Sequence, residues 1–61
     1  MGTFMNVEDV MKVLNVSRAF AYKTIRELNA ELKARGYITI AGKVNTKFFN
    51  EKFYGGLSEE K

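Results

Sequence analysis

Residues 14–28, with the sequence LNVSRAFAYKTIREL, constrain the fold of this chain more than any other segment. The apolar side chains are spaced as two helices require when they cross at a steep angle and bury a shared contact. They are Leu14, Val16, Ala21 and Ile25. Between them, Asn15 tolerates a left-handed backbone better than most residues, and Ser17 is a typical cap of a helix N-terminus. The segment therefore predicts a helix-turn-helix.

A helix-turn-helix of this form has two interpretations. In the first, the polar face of the second helix enters the major groove of DNA. In the second, the segment is a plain amphipathic helix pair with a capped second helix, as any small helical domain could contain. The sequence favours DNA binding, because the basic charge around the second helix and the hairpin predicted after it both agree with that interpretation.

The positive charge is concentrated around the second predicted helix. The chain has a formal net charge of +3, but residues 17–47 contain seven Lys and Arg against two Glu, a local net charge of +5. The flanking segments, residues 1–16 and 48–61, are each at −1. A basic patch of this kind is typical of proteins that bind a polyanion, most often nucleic acid. A solvated charged face is the alternative explanation.

Composition excludes several classes of protein. We expect one domain over residues 1–61, with an ordered core over about residues 4–54. The chain has no Cys and no His, so disulfides are impossible and a transition metal would have almost no ligands. The usual catalytic bases and thiol nucleophiles are missing too. We therefore expect no enzyme activity, no catalytic residue, no metal and no cofactor. No apolar run approaches the roughly 20 residues of a membrane span, and no secretory signal is present. The expected location is cytoplasmic.

Helical periodicity predicts two helices in the first half of the chain. The first covers residues 7–14, and Asn6 and Asp9 form a variant of the capping box at its start. The second covers residues 18–35, and Gly36 is placed to end it. Its core row repeats at intervals of three and four residues. That row consists of Ala21, Ile25, Leu28 and Leu32.

After Gly36 the pattern changes from helical to alternating. Residues 37–40 (YITI) predict a strand, Ala41-Gly42 a turn and Lys43-Val44 a returning strand, with Lys43 at the tip of the hairpin. In this register Ile38, Ile40 and Val44 share the buried face. A short helix over residues 46–54 follows, with Phe48, Phe49 and Phe53 as core and Gly55-Gly56 at its end. Residues 57–61 are expected to fray.

The predicted fold class is α+β and mostly α. It is a small winged helix-turn-helix, with a two-stranded β-hairpin as the wing and a short C-terminal helix. On this arrangement the second helix turns a polar surface away from the core, with Tyr22, Lys23 and Arg26 on it.

Six residues are candidates for contact with DNA. We expect Arg18, Tyr22, Lys23 and Arg26 to meet the major groove, where Arg can bind the O6 and N7 acceptors of guanine. Ser17 and Lys43 would contact phosphates. Tyr22 has an alternative role as a ring half-buried at the edge of the core. Lys43 has an alternative role as a charge that protects an edge strand from pairing with another chain. Phe20 lies off both the core row and the DNA face.

The order of elements resembles the excisionase and MerR-like group of winged helix-turn-helix proteins. The matching stretches are residues 6–10, 14–18, 21–26 and 42–44, and the resemblance covers about residues 4–54. Two features depart from that group. Residues 28–35 lengthen the second helix, and Asn45 stands where the group often has Pro.

The resemblance implies a recombination directionality factor of a mobile element or prophage that binds double-stranded DNA. It would use the second helix in the major groove and the wing in the minor groove. The same fold also serves small transcriptional repressors, and we keep that alternative. A third possibility is a protein-interaction module that binds a recombinase or itself through the long helix, Phe20 and Leu57. No small-molecule effector is expected, because the 61 residues do not include the effector domain of full MerR regulators.

Overall fold

The computed structural model describes residues 3–55, which form two strands and three α-helices. In chain order these are β1 (Phe4–Asn6), α1 (Val7–Leu14), α2 (Arg18–Ala34), β2 (Lys43–Asn45) and α3 (Thr46–Asn50). A π-helical turn over Glu51–Gly55 continues directly from α3. The predicted fold class, a mostly helical α+β protein with a two-stranded antiparallel sheet, is confirmed.

Helix α1 has the termini that its sequence predicts. The side chain of Asn6 accepts a hydrogen bond of 2.9 Å from the Asp9 amide, and the Asp9 carboxylate accepts one of 3.1 Å from the Asn6 amide. This reciprocal pair satisfies two amides that would otherwise have no helical partner. After the helix, Asn15 adopts the left-handed conformation at φ 56°, and the chain turns toward α2.

Helix α2 is also capped as predicted, although it is one residue shorter. The hydroxyl of Ser17 accepts a hydrogen bond of 3.2 Å from the Phe20 amide. At the other end Gly36 has a φ of +90°, which glycine adopts without strain. The amides of Gly36 and Tyr37 donate to the carbonyls of Lys33 and Leu32, each at 3.0 Å. This is a Schellman motif, and it fixes the direction in which the chain leaves α2.

The sheet pairs β2 with a different segment from the one predicted. Strand β2 is antiparallel to β1, with Met5 opposite Val44, and the predicted strand over residues 37–40 is an irregular segment. We call residues 36–42 the wing loop. The predicted register is wrong for the same segment: Val44 is fully buried, whereas Ile38 is 93% exposed and Ile40 is 43% exposed.

The geometry of the turn explains why the hairpin does not form. Lys43 donates an amide hydrogen bond of 3.0 Å to the Ile40 carbonyl, which closes a four-residue turn with Gly42 at its third position. Gly42 has a φ of +78°, whereas Ala41 does not have a positive φ, which is the pattern of a type II turn. Type II turns splay the segments that they join, because their twist opposes that of a two-stranded ribbon.

The core lies where all five elements meet. Each contributes one of the five largest fully buried side chains, which are Met5, Val10, Ile25, Val44 and Phe49. The predicted core row of α2 is confirmed, with Ala21, Ile25 and Leu28 buried and Leu32 partly buried against them. Within residues 3–55, no helix is both long and apolar enough to cross a membrane.

The C-terminal half of α2 holds the last helical segment in place. The carboxylate of Glu31 lies 2.7 Å from Arg35 and 3.1 Å from Lys52 of the π-helical turn. Both cations lie over the ring of Phe48, at 5.5 and 5.8 Å from its centroid. The lengthened second helix therefore has a packing role. The predicted final helix begins as expected at Thr46, with Asn45 as its cap, while Gly56 and residues 57–61 lie outside the described residues.

Candidate nucleic-acid interface

The two candidates at the start of α2 have structural partners. Ser17 is the helix cap, and it remains exposed. Arg18, the first residue of α2, lies 3.5 Å from the Glu8 carboxylate of α1, and both side chains are more than half exposed. An exposed ion pair of this length contributes little to stability and can exchange for another anion. Arg18 is thus available to DNA, in competition with Glu8.

The next two turns of α2 present a polar and cationic surface to solvent. Tyr22 is 45% exposed, and Lys23 and Arg26 are exposed as well. On the opposite side, Ala21 and Ile25 are buried. Among the described residues, neither Lys23 nor Arg26 forms an ion pair. Within residues 3–55 their charges are therefore not used in the fold, and the structure brings them together on one face.

A groove separates this face from the wing loop. It has a volume of about 440 Å³, and Tyr22, Arg26 and Asn29 line it on the α2 side. On the other side it is lined by the loop residues Thr39, Ala41 and Gly42. Helix face and loop thus form the two walls of one open depression.

Asn29 fixes the distance between these two walls. Its side-chain nitrogen donates hydrogen bonds to the backbone carbonyls of Lys43, at 2.8 Å, and Ile40, at 3.2 Å. In a regular two-residue hairpin the Lys43 carbonyl would accept from the Ile40 amide. Here the Asn29 amide donates to the Lys43 carbonyl instead, so α2 holds the end of the loop in place.

Lys43 does not lie at the tip of a hairpin, and the prediction that placed it there is wrong. It is the first residue of β2, opposite Asn6, because Ile40 to Lys43 form the turn and the sheet partner is β1. Its side chain is exposed, and the preceding residue, Gly42, lines the groove. Lys43 therefore remains close to the α2 face, although the wing loop itself contains no charged residue.

The α2 face offers cations and a phenol, and the wing loop lies across the groove from it. Residues 3–55 contain no group of three or more His, Cys, Asp or Glu that could bind a metal ion. The surface consists of hydrogen-bond donors and positive charge. Such a surface is suited to binding a polyanion of regular shape.

Comparison with known proteins gives one clear relative. Over 50 residues the chain is 44% identical to the ICEBs1 excisionase of Bacillus subtilis strain 168. The match covers 82% of this chain and 78% of that protein. The chain belongs to the excisionase family. The resemblance to excisionases in the sequence is thus confirmed, while no protein-family model and no solved structure matches the chain.

Two residues of this excisionase-family surface escaped prediction from the sequence. Asn29 looks like an ordinary polar residue of a long helix, and its two carbonyl partners lie 11 and 14 positions away along the chain. The alternation of Ile38 with Ile40 predicts a core position for Ile38, which the structure instead leaves 93% exposed. The signal that could have found Asn29 is its position one turn after Arg26 on the same side of the helix.

Proposed function

We propose that this chain binds double-stranded DNA in a sequence-specific manner through α2. The observation that carries the proposal is the face of Tyr22, Lys23 and Arg26, whose two cations are exposed and unpaired among the described residues. Exposed Arg and Lys on the second helix of a helix-turn-helix can reach base edges in the major groove. Arg18 would join this face in the major groove, and Ser17 and Lys43 would contact phosphates.

We further propose that the chain acts as a recombination directionality factor of a mobile element. Its 44% identity to an excisionase over most of both chains supports this role. The protein would bind near the ends of the element and favour excision by the recombinase that the element encodes. It would itself perform no covalent chemistry, and its partners would be DNA and that recombinase.

Salt dependence tests the DNA-binding part. A duplex site is selected with the full chain from a random-sequence library, and its affinity is measured by fluorescence anisotropy at increasing salt. Neutralising about four phosphates should weaken binding roughly a hundredfold between about 50 and 200 mM salt. Affinity that does not change over this range would contradict the proposal.

An excision assay tests the recombination part. The element's recombinase is supplied with DNA that carries the element's ends, with and without this protein. An increase in excised product supports the directionality role. If the protein binds the selected DNA but leaves excision unchanged and instead lowers transcription from a promoter at its site, the repressor alternative is correct.

A protein-interaction role is the second candidate, and the exposure of Phe20 favours it. This ring is 50% exposed near the start of α2. Phe20→Ala should then lower recombination with little change in DNA affinity. Equal recombination by the variant and the parent would remove Phe20 from any such contact.

A further inference from the structure

The wing loop exposes apolar side chains at a place where a charged contact is expected. Ile38 is 93% exposed, and its neighbours Tyr37 and Ile40 are 61% and 43% exposed. Single exposed apolar residues are common, but three within four residues are unusual, and Ile38 is by far the most exposed of them. Residues 36–42 contain no Lys, Arg, Asp or Glu. The loop therefore cannot bind a phosphate through a positively charged side chain.

The loop is nevertheless held beside the cationic face of α2. At one end the Schellman motif of Gly36 and Tyr37 fixes the exit from the helix. At the other end Asn29 binds the carbonyls of Ile40 and Lys43. Because both ends are attached, the exposed Ile38 side chain extends from a loop of defined shape. A duplex that meets Lys23 and Arg26 also comes close to this loop.

We propose that Ile38 is an apolar wedge that enters the minor groove next to the major groove occupied by α2. This inference rests on the proposed function. Apolar side chains inserted between base steps partly unstack them and bend the duplex, and they need no charge to do so. Removing the side chain from water favours insertion, since an exposed Ile gains by burial.

The wedge predicts selectivity at a position that no polar side chain contacts. Unstacking is easiest at pyrimidine–purine steps such as TA and CA. The selected DNA sites should therefore contain such a step outside the bases that face α2. Ile38 would then contribute to specificity through the deformability of DNA.

The fluorescence of 2-aminopurine, which increases when the base is unstacked, provides the test. The analogue replaces each adenine of the selected duplex in turn, and each duplex is titrated with the full chain. We expect an increase at one step outside the α2 contact. Ile38→Ala should remove that increase, weaken binding about tenfold and leave the salt dependence of binding unchanged. Ile38→Leu should retain the signal.

Phe20→Ala is the matched control, because it removes an exposed apolar side chain from the α2 region without touching the loop. It should retain the 2-aminopurine signal. Ile38→Ala should unfold at the parent's temperature, because the exposed side chain makes little packing contact. If Ile38→Ala keeps both the signal and the affinity while the parent binds DNA, the wedge is overturned and the proposed function stands. If the parent selects no DNA at all, the wedge and the proposed DNA-binding function are both overturned.

Discussion

The side-chain amide of Asn29 donates a 2.8 Å hydrogen bond to the backbone carbonyl of Lys43, and this bond joins the middle of α2 to the start of β2. A second bond from the same nitrogen reaches Ile40. The wing loop ends between these two carbonyls, so the hydrogen bonds from α2 fix the position of the end of the loop. One side chain thus makes the helix face and the loop a single unit.

Asn29→Asp should destabilise the fold and displace the loop. The substitution keeps the size of the side chain but replaces the donor with a carboxylate that faces two carbonyl oxygens. We expect a loss of about 1 to 3 kcal/mol in the free energy of unfolding, measured by urea denaturation. Asn50→Asp, at an exposed position of α3, adds the same charge and is the control. Equal stability of the two variants would contradict a role for Asn29 in holding the loop.

Arg26→Ala should weaken binding to the selected DNA site by about 1 to 3 kcal/mol and relax the preference at one base pair. Arg26→Lys should recover part of the affinity but not the preference, because Lys cannot form the paired hydrogen bonds of a guanidinium. Competition titrations with single-base variants of the site measure both effects. Lys12→Ala removes a cation from α1 and serves as the control. If Arg26→Ala binds every site as the parent does, Arg26 does not contact a base.

Lys43→Ala should weaken binding to all sequences alike. The side chain is exposed and follows Gly42, a residue that lines the groove, and we expect it to reach a phosphate but no base. The slope of log affinity against log salt should decrease by about 1. Salt titrations on the selected site and on an unrelated duplex provide the measurement. A loss confined to the selected site would assign base recognition to Lys43 instead.

Glu8→Gln should strengthen DNA binding. The carboxylate of Glu8 lies 3.5 Å from Arg18 and would compete with DNA for the guanidinium. Its removal should raise affinity about twofold to fivefold at low salt, with a smaller gain at high salt because the charges are exposed. Glu51→Gln removes an exposed carboxylate from the π-helical turn and should raise DNA affinity less. An equal gain from both substitutions would indicate a general charge effect and not release of Arg18.

Substitutions of Ser17 should separate helix capping from DNA binding. Ser17→Ala should lower the free energy of unfolding by about 1 kcal/mol, because the Phe20 amide loses its acceptor. Ser17→Asp keeps an acceptor and suits the positive end of the helix, so it should unfold like the parent. It should nevertheless bind DNA roughly tenfold more weakly, through repulsion of phosphate. Parent-like DNA binding by Ser17→Asp would place residue 17 away from the phosphates.

The local features of this fold could be predicted because they depend on neighbours in sequence. The capping box of Asn6 and Asp9, the left-handed Asn15, the cap at Ser17 and the glycine exit at Gly36 each involve residues within a few positions of one another. Their hydrogen bonds form wherever the residue types and spacing allow. Helical periodicity likewise identified the buried row of α2 and, opposite to it, the exposed Lys23 and Arg26.

The pairing of β2 could not be predicted in the same way. Met5 and Val44 are almost completely buried and face each other across the sheet, but β1 has only three residues and gives no clear alternation in the sequence. The segment over residues 37–40 has a much stronger strand pattern. It does not pair because the turn at Gly42 splays it away and Asn29 takes the carbonyl of Lys43.

By itself, the sequence of residues 14–28 determined the helix-turn-helix and the face that α2 presents to solvent, since caps and helical periodicity are local properties. The tertiary structure alone decided which strand completes the sheet, where Lys43 lies and how far Ile38 is exposed. Those outcomes depend on competition between distant partners for the same backbone groups and the same core. Local strand propensity cannot predict the result of that competition. The partner of β2 is the segment that the chain connections allow to reach it, even when another segment has the stronger strand pattern.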